Sequence, residues 1–352
     1  MKIPFLQKQI HTTPSDDANA KNKGGMSALN EEENKKDGTV SLLSEKAKNK
    51  QIDATMVSPN AKNRRFIGVI CILISAFCFS LMSVFVRLAG DAPTFQKALF
   101  RNSVASLVSF CLLLKSGSFK IKKGNLSLLL FRSISGTIGI LGNFYAIDYL
   151  TNLSDAAILN KLAPFFSIIF SVWILNEKAS AKDWLLVLTA FIGAIFIIKP
   201  SADIAKNAAS LIGVLGGLGA GIAYTFVRKL GMRGERAPVI VFYFSVFSSL
   251  CVLPMAIAQW QSLHFTQVLF LLLAGISASG AQFSVTLAYK FAPAKEISVF
   301  DYSQVLFSAI LGILFFTDIP DLFSILGYLI IIGAAFVKWL LSRKKSNWVF
   351  LM

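Results

Sequence analysis

Charged residues are scarce in this chain of 352 residues. Asp, Glu, Lys and Arg together make up 15% of it, against roughly a quarter in soluble domains. Hydrophobic residues make up 55%, with 31 Phe among them, and the mean hydropathy is +0.62. A large share of the charge falls within residues 1–65, so the remainder is more apolar still. This composition excludes a soluble globular protein and predicts a chain that lies mostly within a lipid bilayer.

Motifs for enzymatic chemistry are missing as well. The sequence has two histidines and contains no HExxH, no phosphate-binding GxxxxGK and no GxSxG. We therefore expect no metal site, no cofactor and no enzymatic activity. The four cysteines lie in apolar runs without metal-ligand spacing, which is typical of small buried hydrophobic residues: Cys71, Cys78, Cys111 and Cys251.

The basic residues occur in short clusters between apolar runs. The net charge of +16 would suit nucleic acid only if it formed one basic face, so we expect no nucleic-acid partner. Alternate loops hold eighteen Lys and Arg residues on one side and four on the other. This bias predicts a multi-pass protein of the inner or plasma membrane with both termini in the cytoplasm. The larger set is Lys62, Arg64, Arg65, Lys115, Lys120, Lys122, Lys123, Lys178, Lys182, Arg228, Lys229, Arg233, Arg236, Lys290, Lys295, Arg343, Lys344 and Lys345, and the smaller set is Arg87, Lys97, Lys199 and Lys206.

Ten apolar runs follow Phe66, each long enough or nearly so to cross ~30 Å of hydrocarbon. Residues 1–65 mix charges with Ser, Asn, Gly and Thr, which predicts a disordered cytoplasmic tail; Met56 is an alternative start. Residues 342–352 are expected to form a cytoplasmic C-terminal tail. The runs cover residues 66–88, 94–114, 126–149, 155–175, 182–199, 210–230, 238–258, 265–289, 296–316 and 321–341.

The apolar part of the chain repeats itself at a shift of 140 residues. Residues 149–197 align with residues 289–337. Each half, 66–200 and 210–341, holds five spans, and an odd number inserts the halves in opposite orientations. The predicted fold is an all-α integral membrane protein with ten transmembrane helices, arranged as two inverted five-helix repeats. Secondary transporters often have this design, with the substrate site near the midplane.

Two segments carry a resemblance to a known family: "NFYAIDYLTNLSDAAILNKLAPFFSIIFSVWILNEKAS" and its second-half echo ending "LGILFFTDIPD". A Tyr near the end of the third helix precedes small residues, Pro and Phe in the fourth. An acidic residue, Glu177, and a Gly-containing fifth helix follow. This pattern resembles the EamA-like ten-helix branch of the drug/metabolite transporter superfamily, although Asp318 replaces the second-half Glu one residue out of step. The resemblance covers about residues 66–341 and implies transport without indicating a substrate.

Two charged residues lie deep within predicted spans. Lys161 in the fourth span and Asp301 in the ninth align with each other in the repeat. If both face the pseudo-two-fold axis, a cation and an anion approach each other near the midplane. A charge at that depth costs on the order of 2.5–3.5 kcal/mol to insert, so it is paired or faces a wet cavity.

Neighbouring positions extend this candidate site. Asp301 shares a helix face with polar residues three positions away on either side, and Pro164 removes a backbone donor one turn after Asn160. Tyrosines near the pair could stack on a planar solute. The candidate substrate-binding residues are Lys161, Asp301, Asn160, Gln304, Ser298, Tyr302 and Tyr145.

Several roles stay open for these charges. Lys161 could hold a carboxylate or phosphate and Asp301 an amine, Asp301 could carry a coupled proton, or the two could form a structural bridge between the repeats. Arg101 and Arg132 lie roughly 10 Å inside their spans, where structural ion pairs or snorkelling side chains are expected. Glu177, near a helix end, is expected to be a turn or capping residue.

Small residues recur in two of the spans. Their spacing predicts close packing between helices. They are Gly136, Gly139 and Gly142 in the third span, and Gly213, Gly217 and Gly221 in the sixth.

These patterns predict a secondary transporter that moves a small organic metabolite by alternating access. A lysine and an aspartate together favour a zwitterionic solute, such as an amino acid or a nucleoside-derived metabolite. The alternatives are a non-transporting scaffold or receptor, or a membrane-embedded enzyme. The expected partners are the small-molecule substrate and the lipid bilayer, with a homodimer left open.

Overall fold

A computed structural model of the chain describes residues 59–149, 153–201, 208–317 and 320–348. The chain divides into two compact units, Met1–Lys62 and Asn63–Met352, and the second contains the apolar runs. Most of the predicted N-terminal tail and residues 349–352 lie outside the described residues.

Twelve α-helices and no strand occur in the described residues. Helices satisfy every backbone polar group within one segment, which a bilayer requires because it offers no hydrogen-bond partner of its own. We number them α1 (Pro59–Leu88), α2 (Thr94–Lys115), α3 (Leu126–Tyr149), α4 (Leu153–Asn160), α5 (Ala163–Leu175), α6 (Ala181–Ile198), α7 (Ala208–Met232), α8 (Ala237–Ala258), α9 (Phe265–Phe291), α10 (Ala294–Asp301), α11 (Ser303–Phe316) and α12 (Leu322–Trp348).

The ten predicted spans are confirmed. Ten helical segments of the described chain are long and apolar enough to cross a membrane. α4 and α5 together form the fourth span, and α10 and α11 form the ninth. The last helix is longer than expected: it continues past residue 341 to Trp348, because residues 342–348 contain no Gly or Pro to end it.

Large apolar side chains cover the outside of the helical domain. Trp173 is 78% exposed, and Leu329 and Phe66 are 62% and 61% exposed. A soluble monomer rarely exposes so much contiguous apolar surface. These side chains therefore face the lipid acyl chains.

The fourth span is interrupted near its middle. Lys161 and Leu162 lie between α4 and α5, whereas we predicted an unbroken helix over residues 155–175. Pro164 stands in the first turn of α5, where its missing amide needs no helical partner. The proline therefore accounts for the position of this break.

The ninth span is interrupted at the equivalent place, although we predicted an unbroken helix over residues 296–316. Tyr302 lies between α10 and α11. No proline marks this break, because Gln304 stands at the repeat-equivalent position of Pro164. The sequence around Tyr302 therefore contains no proline that would predict a break. The alignment of the two repeats is the only sequence feature that connects this break with the first one.

Repeat-equivalent helices pack against each other. α2 packs on α8, and α6 packs on α12. A pseudo-two-fold axis in the membrane plane brings equivalent elements together in this way. Helix ends match as well: Asn176 after α5 and Thr317 after α11 both adopt left-handed conformations, with φ of 54° and 56°.

Helix α7 presents glycines to two neighbours. A Cβ added at Gly217 would lie 2.8 Å from the carbonyl oxygen of Leu159, beside the break in the fourth span. On the side facing α3, a Cβ added at Gly142 would lie 2.7 Å from Cα of Gly216. Backbones can approach this closely only where side chains are absent. Gly139 and Gly221 also lie against backbone atoms, whereas a Cβ added at Gly213 would lie 2.6 Å from the side-chain Cδ1 of Leu159.

We expect Gly142→Ala to lower the free energy of unfolding by about 1–3 kcal/mol, because the new methyl group would overlap the backbone of α7. Thermal unfolding in detergent micelles measures the change. Gly333→Ala is the control, since no atom lies within 4 Å of a Cβ at that position. Equal unfolding temperatures for the two variants would contradict close packing of α3 on α7.

Candidate functional site

The two helix breaks lie against each other. The hydroxyl of Tyr302, in the second break, donates to the backbone carbonyl of Lys161, in the first, at 2.9 Å. That carbonyl has lost its helical partner, because the amide of Phe165 donates to the carbonyl of Leu162 instead. The bilayer would leave it unsatisfied at a cost of several kcal/mol. A side chain of the second repeat thus supplies the hydrogen bond that a backbone carbonyl of the first repeat lacks.

The Lys161 side chain also crosses between the repeats. Its Nζ donates to Oε1 of Gln304 at 2.6 Å and lies 4.0 Å from Oδ2 of Asp301. Lys161 is buried, with 8% of its surface exposed. The hydrogen bond to Gln304 is therefore its main interaction, and the ion pair with Asp301 is looser.

The Asp301 carboxylate has fewer polar contacts than the Lys161 ammonium group. It accepts no hydrogen bond from the part of the chain that the structure describes, and 18% of its side chain is exposed. Within the same residues, no three His, Cys, Asp or Glu side chains gather where they could hold a metal ion. An open carboxylate at this depth can accept a hydrogen bond from an amine or take up a proton.

Ser298 and Tyr302 are fully buried. The Ser298 hydroxyl lies 3.3 Å from the hydroxyl oxygen of Ser167, which also receives a hydrogen bond from the Tyr289 hydroxyl at 3.3 Å. The Tyr289 ring stacks on Tyr224, with centroids 4.7 Å apart. In this conformation, Ser298 and Tyr302 join the fourth and ninth spans instead of facing a solute.

Asn160 and Tyr145 are not hydrogen-bonded to this cluster within the described residues. Asn160 is exposed, and the ring of Tyr145 stacks on Tyr149 with centroids 4.3 Å apart. The cluster at the breaks therefore consists of Lys161, Asp301 and Gln304, and of the side chains that support them.

Arg101 and Arg132 have aromatic neighbours in place of the ion pairs that we predicted. The guanidinium carbon of Arg132 lies 3.9 Å from the ring centroid of Phe244, and that of Arg101 lies 5.9 Å from the centroid of Phe79. No carboxylate in the described part of the chain pairs with either arginine. Arg132 is 2% exposed, so it does not snorkel to the membrane surface. The aromatic face replaces the anion as its partner.

Gly136 provides space for the side chain of Arg132, in addition to the helix packing that we predicted. A Cβ added at Gly136 would overlap Nη1 of Arg132 and lie 2.7 Å from Cε2 of Phe244. The missing side chain thus leaves room for the guanidinium against the aromatic ring.

Buried ion pairs link the repeats at the basic end, by which we mean the helix ends whose loops carry the larger set of Lys and Arg. Nε of Arg228 on α7 donates to Oε1 of Glu177, after α5, at 2.9 Å. Their side chains are 3% and 13% exposed. The sequence predicts a turn or capping role for Glu177 and marks Arg228 only as a topology signal, whereas the structure pairs them. The recurrence of "FVR" at 85–87 and 226–228 was the available hint that Arg228 is special.

A second buried cluster lies at the same end. Nζ of Lys338 on α12 lies 2.6 Å from Oδ1 of Asp183 on α6 and 3.7 Å from Oε2 of Glu296 on α10. Lys295 donates to the backbone carbonyl of Lys178 at 2.5 Å. The contacts of Lys338 with Asp183 and of Lys295 with Lys178 again join residues of the first repeat to residues of the second, whereas Glu296 belongs to the same repeat as Lys338.

Contacts at the opposite end are more exposed. Lys199 donates to the Asp321 carboxylate, and both side chains are nearly half exposed. This hydrogen bond lowers the pKa of Asp321 to about 2. Exposed ion pairs contribute little to stability. The basic end is therefore held by buried charges, and the opposite end is not held in the same way within the described residues.

Comparison with known proteins matches both halves of the chain. Residues 66–199 and 207–339 each match the EamA-like transporter family. A pseudopaline exporter of Pseudomonas aeruginosa is 29% identical, with the match covering 80% of this chain and 97% of the relative. Human solute carrier family 35 member G1 is 29% identical, covering 79% and 81%. An S-adenosylmethionine uptake transporter of Rickettsia prowazekii is 24% identical, covering 79% and 94%.

A solved crystal structure has the same fold. It superposes with a TM-score of 0.67 over 80% of this chain and 99% of the other, at 16% sequence identity. The family matches fall on the two halves that repeat in sequence. This chain is a multi-pass membrane transporter and belongs to the EamA-like transporter family.

Proposed function

We propose that the chain is a secondary transporter that moves a small organic metabolite across the plasma membrane by alternating access. The observation that carries the proposal is the Lys161–Gln304–Asp301 cluster at the two helix breaks. Inverted-repeat transporters bind their substrates at broken helices near the midplane. The relatives include a named exporter and a named uptake transporter, so either direction is compatible with the fold.

In this proposal the basic end faces the cytoplasm, as the distribution of Lys and Arg favours. The buried pair of Arg228 with Glu177 and the cluster around Lys338 support a conformation that is closed towards the cytoplasm. Rocking of one repeat against the other would break these contacts and open the path from the cluster to that side.

The proposed solute carries both an amine and an acidic group, as an amino acid or a nucleoside-derived metabolite does. The open Asp301 carboxylate suits an amine, because it accepts no hydrogen bond from a described residue. The same carboxylate is the group we propose for proton coupling, since a desolvated carboxyl group binds a proton more readily.

Proteoliposomes containing the protein should show saturable uptake of at least one member of a panel of amino acids and nucleoside-derived metabolites. If Asp301 couples a proton, an inward pH gradient should raise the initial rate, and Asp301→Asn should remove that dependence. Absence of flux for the whole panel, from a folded preparation, would favour a non-transporting scaffold or receptor.

Exchanging the central charges tests their role. Lys161→Asp and Asp301→Lys should each lower uptake by about tenfold or more, because charged hydrogen bonds contribute about 1.5–3 kcal/mol. The double variant should stay impaired, because Asp301→Lys places a positive charge against the amine of the solute. Lys178→Gln, which removes an exposed charge, is the control. Recovery of uptake in the double variant would identify the pair as a structural bridge.

Removing a buried ion pair at the basic end should make the interior of the protein more accessible from that side. With Ser298→Cys as a buried reporter in a background without other cysteines, Glu177→Gln should speed maleimide labelling in nanodiscs about tenfold, the factor expected for loss of a charged hydrogen bond. Lys178→Gln should leave the labelling rate unchanged. An unchanged rate in Glu177→Gln would argue against Arg228 and Glu177 as a closing contact.

A further inference from the structure

Most buried cations in the described spans have a carboxylate partner, and one does not. Arg132 on α3 is the exception. An uncompensated buried charge is strongly destabilising. The paired cations are Arg228 with Glu177, Lys338 with Asp183, and Lys161 with Asp301.

The geometry of Arg132 leaves its donors unused. It is 2% exposed, and its Nε is buried without an acceptor. The ring of Phe244 covers one side of the guanidinium at 3.9 Å, and Gly136 leaves space for Nη1. A guanidinium held by its flat side keeps its N–H edge free, and that edge matches the two oxygens of a carboxylate or phosphate.

Helix α7 contacts both α3, which carries Arg132, and the fourth span. A Cβ added at Gly219 would lie 2.7 Å from the carbonyl oxygen of Ser135 on α3, and one added at Gly221 would lie 2.8 Å from the amide nitrogen of Ser167 on α5. Arg132 therefore adds a buried positive charge, one helix away from the cluster at the breaks, that no described carboxylate offsets. A net anionic ligand would neutralise it.

We infer that Arg132 forms an anion-binding subsite, and that the solute is an organic acid whose carboxylate or phosphate groups outnumber its amines. This inference rests on the proposed transport function and assigns the acidic end of the solute to Arg132, with the amine end at Asp301. Lys161, which is already bonded to Gln304, then supports the site without being its main anion ligand.

Anion binding to the detergent-purified protein tests the subsite without requiring transport. The probes are succinate, its uncharged diamide succinamide, and inorganic phosphate, at constant ionic strength set with sodium chloride. Succinate or phosphate should raise the unfolding temperature of the unmodified protein by mass action, and succinamide should not. A response to succinate alone indicates a carboxylate solute, and a response to phosphate alone indicates a phosphate ester.

Two variants disturb the subsite in different ways. Arg132→Met removes the charge, and Gly136→Ala keeps the charge but displaces the guanidinium. Each should weaken the apparent affinity for the anion by about tenfold or more, the factor that corresponds to a lost charged hydrogen bond. Lys123→Gln, which removes an exposed charge, should leave the affinity within about twofold, a shift too small for loss of such a bond.

Without succinate or phosphate, Arg132→Met should unfold at the same temperature as the unmodified protein or higher, because it removes an unpaired buried charge. A lower temperature, combined with unchanged anion affinity in both variants, would identify Arg132 as an aromatic-stacked structural residue and overturn the subsite. So would the lack of any anion-specific stabilisation of the unmodified protein. Anion binding without flux would instead refute the transport function and leave the subsite intact.

Discussion

A break in a transmembrane helix leaves carbonyl and amide groups without partners in a solvent that supplies none. In this protein the break in the fourth span persists because the second repeat satisfies it. The Tyr302 hydroxyl binds the free carbonyl of Lys161, and Gln304 binds the Lys161 side chain. Each repeat therefore depends on the other at the depth where its own backbone is weakest, and the polar cluster at that depth follows from this dependence.

Close backbone packing makes this arrangement possible. Helix α7 approaches the first break at Gly217 and α3 at Gly216, where a side chain would overlap backbone atoms. Space between helices is thus taken up by backbone, and interior polar groups are enclosed within protein. Gly136 is similar, because the absence of a side chain there leaves room for the guanidinium group of Arg132.

Charge is balanced differently along the depth of the membrane domain. At the basic end, buried pairs such as Arg228 with Glu177 compensate each other and join the repeats. Inside the spans, Arg101 and Arg132 have no described carboxylate partner, and their guanidinium groups lie against aromatic rings instead. Ion pairs that can break suit a gate, whereas unpaired cations suit a ligand that supplies the missing charge. This division is consistent with a transporter that binds centrally and opens at its ends.

The sequence by itself determined the ten spans, the inverted repeat and the alignment of Lys161 with Asp301, because hydropathy and self-similarity are properties of the chain read in one dimension. Pro164 marked a weak point in the fourth span, although not the break itself. Only the tertiary structure decided that the ninth span breaks at Tyr302, that Arg132 stacks on an aromatic ring, and that Arg228 pairs with Glu177. Each of these depends on contact between helices that are distant in the chain, and no local pattern of residues encodes such contact.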